Sequence, residues 1–190
     1  MSKTICVYCA SSETVDEVYF AAASELGEAI AARGLRLVYG GGNRGLMGAL
    51  AQAVHGHGGH TIAVIPQALH DLGLTYGDAD EIVVTRNMRE RKQTMEQRAD
   101  AFIALPGGFG TLEEFLEVLT LKQLEYHSKP IVLLNTDGFY GPLLELFDHF
   151  IDQHFVKPEH RDLFFVADTV DAALIYVEPY RPGDSVSKFA

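Results

Sequence analysis

The residues best equipped for chemistry stand in the run Pro106-Gly107-Gly108-Phe109-Gly110-Thr111-Leu112-Glu113-Glu114, directly after an apolar segment at 101–105. Glycines at 107, 108 and 110 let the backbone come close to a ligand. A helix opening just beyond them presents amides without intrahelical partners, and such amides favour an anion. No Gly-Lys-Ser/Thr follows, so the run is not a P-loop. Thr111 and Glu114 also satisfy T-x-x-E, in which two side chains close off the first amides of a helix. On the local sequence, this cap and a chemical role for Glu114 are equally open.

A second Gly-rich run, Gly40-Gly41-Gly42-Asn43-Arg44-Gly45, follows a strand-like segment ending at Tyr39. It fits G-x-G-x-x-G, but a dinucleotide site also needs an acidic residue about 20 positions on. The next strand-like segment ends Val64-Ile65-Pro66-Gln67, without a carboxylate. NAD and FAD are therefore not expected. Two readings remain: a tight turn that needs positive φ, or helix-start amides that hold a phosphate or ribose.

Between the two runs lies segment 87–99, where helical spacing lines up Met88, Arg91, Lys92, Met95 and Ala99. The other residues are polar, so this stripe is the one candidate for contact with the body of the protein, yet it carries two cations. Either their stems snorkel past the core, or their heads enter a cleft and hold an anion. The planar fork of Arg91 suits a phosphate or carboxylate.

Cys6 and Cys9 spell C-x-x-C inside a strand pattern, where positions three apart face opposite sides. They read as buried structural thiols suited to a reducing compartment. The eight histidines, His55, His57 and His60 among them, show no ligand spacing and are expected on the surface or in loops. No metal is expected.

These residues need a frame, and the chain alternates short β-branched runs with longer helical patterns, the signature of βαβ units in a parallel sheet. Strands are expected at 5–8, 35–39, 61–65, 81–84, 101–105, 131–134 and 164–166. Helices are expected at 16–33, 45–56, 88–99, 111–125, 141–154 and 169–177. In the first helix Ala21, Leu26, Ala29 and Ile30 form the packing stripe, and Gly34 closes it. The fold class is α/β: a Rossmann-like parallel sheet of about six or seven strands with helices on both faces, whose ligand sits in the loops beyond the strands' carboxyl ends.

With 190 residues, 47% of them hydrophobic, the chain fits one domain, assigned to 1–182, with a loosely held tail at 183–190. The formal net charge of -11 disfavours nucleic-acid polymers. No segment reads as a signal peptide or as a membrane span, so a cytoplasmic location is expected.

Together, Gly40-Gly41-Gly42, Met88-x-x-Arg91-Lys92 and Pro106-Gly107-Gly108-x-Gly110-Thr111-x-x-Glu114 resemble the LOG (Lonely Guy) family of cytokinin riboside 5′-monophosphate phosphoribohydrolases. The resemblance spans nearly the whole chain. Such proteins have often been labelled lysine decarboxylases, a label without support here, because no framework for a pyridoxal-bearing lysine is present. The resemblance implies hydrolysis of the N-glycosidic bond of a nucleoside 5′-monophosphate, giving free base and ribose 5-phosphate without a cofactor. It implies Arg91 and Glu114 as the catalytic pair, with Gly41, Gly42, Met88, Lys92, Gly107, Gly108, Gly110 and Thr111 binding the substrate.

Near a helix N-terminus, Glu114 is expected to stay ionised. A homodimer is also implied, with the helix that carries the P-G-G motif near the interface. In that helix Leu112, Phe115, Leu116 and Leu119 form one apolar stripe, and Val118 and Leu121 add apolar surface beyond it. The alternative is a nucleotide-binding sensor or carrier without turnover on the same fold, against which the intact Arg91 and Glu114 argue.

Overall fold

The computed structural model describes residues 2–180, so the 183–190 tail lies outside the described residues. Seven strands form one sheet: β1 (Thr4–Tyr8), β2 (Arg36–Tyr39), β3 (His60–Pro66), β4 (Glu81–Thr85), β5 (Ala101–Ala104), β6 (Ile131–Leu134) and β7 (Phe165–Ala167). Their order is β4-β3-β2-β1-β5-β6-β7, and every neighbouring pair runs parallel. The connecting helices are α1 (Glu17–Ala32), α2 (Gly45–Gly56), α3 (Gln67–His70), α4 (Met88–Arg98), α5 (Phe109–Gln123), α6 (Gly141–Asp152) and α7 (Val170–Val177).

Strand alternation divides the core into two layers. Along β1, Ile5 and Val7 join a cluster with Leu26, Ile30, Leu50 and Leu174 from α1, α2 and α7. Cys6 and Tyr8 face the other way, into a cluster with Met95, Phe115 and Phe147 from α4, α5 and α6. Each large side chain buried there contributes roughly 1.5–3 kcal/mol. Cys9 falls in the first layer and Cys6 in the second, so the thiols diverge as expected, both free and buried. Burial pushes both thiols well above their ordinary value.

Several expectations need correction. The buried face of α1 is Ala22, Ala23, Leu26, Gly27 and Ile30, while Ala21 is exposed. The short α3 and two 3-10 turns, Thr136–Gly138 and Pro158–Leu163, went unexpected because none is long enough to show periodicity. His160, in the second turn, is buried and pairs through Nδ1 with Gln123 Nε2 at 2.9 Å, so not every histidine lies at the surface or in an open loop.

The largest correction concerns α5, which begins at Phe109 with Gly108 as its N-cap and no side-chain cap bond. Thr111 therefore lies inside the first turn, and the T-x-x-E cap does not form. A side-chain cap appears instead on α4, where Asn87 accepts from the Glu90 amide at 3.0 Å and Glu90 accepts from the Arg86 amide at 2.8 Å. The buried face of α5 is Thr111, Glu114, Phe115, Val118 and Lys122. Phe115 and Val118 thus point inward, whereas Leu116 is 39% exposed, and the expected Leu112–Leu119 stripe does not face the sheet as one unit.

Among the described residues, no helix is long and apolar enough to cross a membrane.

Candidate active site

The sheet changes direction between β1 and β5, since β2 to β4 lie on one side of that pair and β6 and β7 on the other. Loops leaving the carboxyl ends of such neighbours diverge, and a crevice opens between them. A cleft of about 700 Å³ occupies this place, walled by the loop after β1 (Cys9 to Ser12), the first Gly-rich run, the end of β3, α3 and the start of α5.

On its floor Arg91 and Glu114 meet, with Nη1 3.2 Å from Oε1 and about 10% of either side chain exposed (11% and 9%). Three features aim the guanidinium. The Asn87 cap fixes the start of α4 one turn ahead of Arg91. Nε donates to the Val64 carbonyl at 3.1 Å, and Nη1 donates to Met88 Sδ at 3.0 Å. Gly40 clears the path, because a Cβ there would overlap Nη2 and lie 2.9 Å from Cζ.

The second core layer takes Met95 and Ala99 from the stripe that unites them with Arg91. The stripe therefore has an apolar end in the core, and of its two cations Arg91 reaches the cleft. Burial raises the Glu114 carboxyl above its ordinary value, and the adjacent Arg91 charge works against that rise. Burial thus opposes the helix-start effect expected to keep the group ionised, and the Arg91 charge supports that effect. Glu114 sits in the second turn of a helix that starts earlier than expected, among buried neighbours.

The residues singled out from sequence divide into two sets. Gly42, Met88, Arg91, Gly108, Gly110, Thr111 and Glu114 line the cleft. Gly41, Lys92 and Gly107 are not part of the lining. Gly41, with φ 74°, supports the turn against Val64 and Ile65, and Gly107 lies tight against Thr111. Lys92 turns toward α5, bonding Glu113 and, at 3.0 Å, Glu117. Partial burial acts to lower its ammonium pKa, but the two carboxylates outweigh this and hold it above the ordinary value.

Sequence reading missed Ser11, Ser12, Asn43, Arg44, Leu69 and Leu74, which also line the cleft. Ser11 and Ser12 follow the first strand directly, and the rule that ligands sit in βα loops would have found them. Leu69 and Leu74 carried no local signal. Their segment is strapped to the Gly-rich turn by long-range backbone bonds, from the Asn43 amide to the Leu74 carbonyl and from the Tyr76 amide to the Gly41 carbonyl.

An anion has the α5 amides and the exposed Arg44 to meet it, and a group developing positive charge has the buried Glu114. With its sheet order and a cleft at the switch point, the molecule is a Rossmann-like α/β protein of the class that takes ligands beyond the carboxyl ends of its strands. A family model described as "Possible lysine decarboxylase" matches residues 47–177. The chain is 45% identical over 180 residues to the cytokinin riboside 5′-monophosphate phosphoribohydrolase LOG5 of Arabidopsis thaliana, covering 95% of this chain and 79% of the relative. It is 46% identical over 180 residues to the LOG enzyme of that name from Oryza sativa subsp. japonica, covering 95% and 74%. The chain belongs to the LOG family. Among solved structures it is similar to the Moco carrier protein of Chlamydomonas reinhardtii, with a TM-score of 0.70 and 27% identity, covering 92% of this chain and 94% of that one.

Proposed function

We propose that the protein hydrolyses the N-glycosidic bond of a nucleoside 5′-monophosphate, with cytokinin riboside 5′-monophosphates as the substrate class, and releases free base and ribose 5-phosphate. The observation that carries this reading is the buried Arg91–Glu114 pair on the floor of the cleft, in a chain about 45% identical to relatives named for that reaction. As the bond from C1′ to the base stretches, positive charge builds on the sugar. A fixed, desolvated carboxylate stabilises that charge most in the transition state.

Water supplies the oxygen that joins C1′, and Glu114 takes the proton which the departing base then receives. A carboxyl raised above its ordinary value suits this transfer. Arg91 holds the carboxylate in place. The substrate phosphate lies against Gly108, Gly110 and Thr111 at the start of α5, with Arg44 facing it, while Gly42 and Met88 border the rest of the nucleotide. Gly41 and Gly107 shape the turns behind the lining, and Lys92 ties α4 to α5 so that Arg91 and Glu114 keep their spacing. No cofactor or metal enters this scheme. The reading also carries one domain at 1–182, a homodimer and a cytoplasmic location.

The likeness to a Moco carrier protein favours one alternative, a carrier that binds a nucleotide-like group without turnover. Incubation with a panel of nucleoside 5′-monophosphates and the matching nucleosides, with base release followed by chromatography, separates the two. Monophosphates should be cleaved and nucleosides scarcely touched. Equal rates on both would remove the phosphate cradle from the argument, and tight binding without base release would favour the carrier.

A further inference from the structure

Met88, the first residue of α4, is 44% exposed and borders the cleft. Its Sδ accepts from Arg91 Nη1 at 3.0 Å, and the same nitrogen stands 3.2 Å from Glu114 Oε1. The thioether is thus a weak acceptor sharing one guanidinium nitrogen with the carboxylate. Other sulfur atoms are better shielded. Met95 is fully buried, Met47 is half-buried in the cleft wall, and Cys6 and Cys9 are buried thiols rather than thiolates. An oxidant that enters the cleft meets in Met88 the most exposed sulfur-bearing residue among the described residues.

We propose that Met88 is an oxidisable modification site on the reaction centre, where conversion to the sulfoxide by a peroxide draws Arg91 away from Glu114. The proposal rests on the reading of Arg91 and Glu114 as the catalytic pair. Chemically, a sulfur lone pair attacks one peroxide oxygen, the O–O bond breaks and an S–O bond forms. Sulfur loses two electrons, and the peroxide is reduced to water after its remaining oxygen takes up the proton. The sulfoxide is a polar, chiral group and a far stronger acceptor than the thioether, and methionine sulfoxide reductases reverse it. Its oxygen offers Arg91 a stronger acceptor beside the 3.0 Å thioether contact, so the guanidinium turns to the sulfoxide at the expense of Glu114.

The test treats the full chain with graded hydrogen peroxide, then measures oxidation at Met47, Met88 and Met95 by peptide mass spectrometry and base release on the same samples. Met88 should oxidise first, and kcat should fall in proportion, by on the order of a hundredfold at full conversion, the scale of a misplacement of about 1 Å. KM should move less, and methionine sulfoxide reductases should restore the rate. Met88→Leu, compared with its own untreated rate, should keep its activity under the same peroxide. Unchanged turnover in protein oxidised at Met88 overturns the proposal, as does equal peroxide sensitivity in Met88→Leu.

If untreated protein releases no base, the functional reading fails on its own. The proposal is then decided by the oxidation order and by carbon-13 NMR titration of the Glu114 carboxyl. Oxidation should raise that titration further, and an unmoved titration overturns the proposal.

Discussion

At the scale of single residues, the proposed mechanism rests on one buried carboxylate, Glu114, and the cation paired with it, Arg91. Glu114→Gln preserves shape and an acceptor for Arg91 but removes the charge, so turnover should drop by roughly two to three orders of magnitude in a base-release assay. The pH profile carries a second signature. On the proposed mechanism activity needs the ionised carboxylate, and burial raises its pKa, so the acid limb should lie above the ordinary glutamate value of 4.5. Arg91 works against that rise, and Arg91→Met should therefore shift the limb of its residual activity to still higher pH. Stability follows the same sign. Between the unfolded value and the raised folded one, the folded protein holds more protons, so stability falls as pH rises through that window. Glu114→Gln lacks this penalty, and its melting temperature relative to wild type should climb across the window. A flat difference would show that burial does not perturb the group. Gly40 belongs to this scale too: Gly40→Ala should displace the guanidinium and lower kcat more than it raises KM, measured in the same assay. Equal kcat in that variant would mean that Arg91 tolerates another path.

At the scale of elements, the pair is held because the Asn87 cap fixes the start of α4 and Lys92 bonds α4 to Glu113 and Glu117 of α5. Sequence patterns located both helices and the Arg91 stripe, since a 3.6-residue period carries over from chain to helix without distant partners. They misplaced the start of α5 by two residues, because T-x-x-E at Thr111 to Glu114 is the same string whether its side chains cap a helix or enter a cleft. They also missed the wall at Leu69 and Leu74, which only the long-range straps to Gly41 and Asn43 bring to the site. The cap that does form makes its own prediction. Asn87→Ala removes the acceptor for the Glu90 amide and should lower stability by about 1 kcal/mol, read from denaturant midpoints. Because Arg91 follows one turn later, kcat should fall with it. Full activity with unchanged stability would show that strand β3, through Val64, positions Arg91 unaided.

At the scale of the whole molecule, the outward side of α5 stands out. Phe109 is 94% exposed and Leu116 39%, and with Leu112, Thr120 and Leu121 they line one shallow groove. Phe109 also borders the cleft, so whatever covers this groove lies at the mouth of the site. The proposed homodimer would use this largely apolar groove, which Glu113 and Glu117 also line, with a two-fold axis setting two copies of it face to face. The chain should therefore run in size-exclusion chromatography with light scattering at about twice its 20.9 kDa. Leu116→Asp places a charge in the groove without touching the core cluster on the inner side of α5. It should yield a monomer with an unchanged circular dichroism spectrum and reduced base release, because the mouth of the cleft is then left open to solvent. A wild-type monomer at micromolar concentration would remove the dimer from the reading. A monomeric Leu116→Asp protein with full turnover would instead show that each cleft works alone.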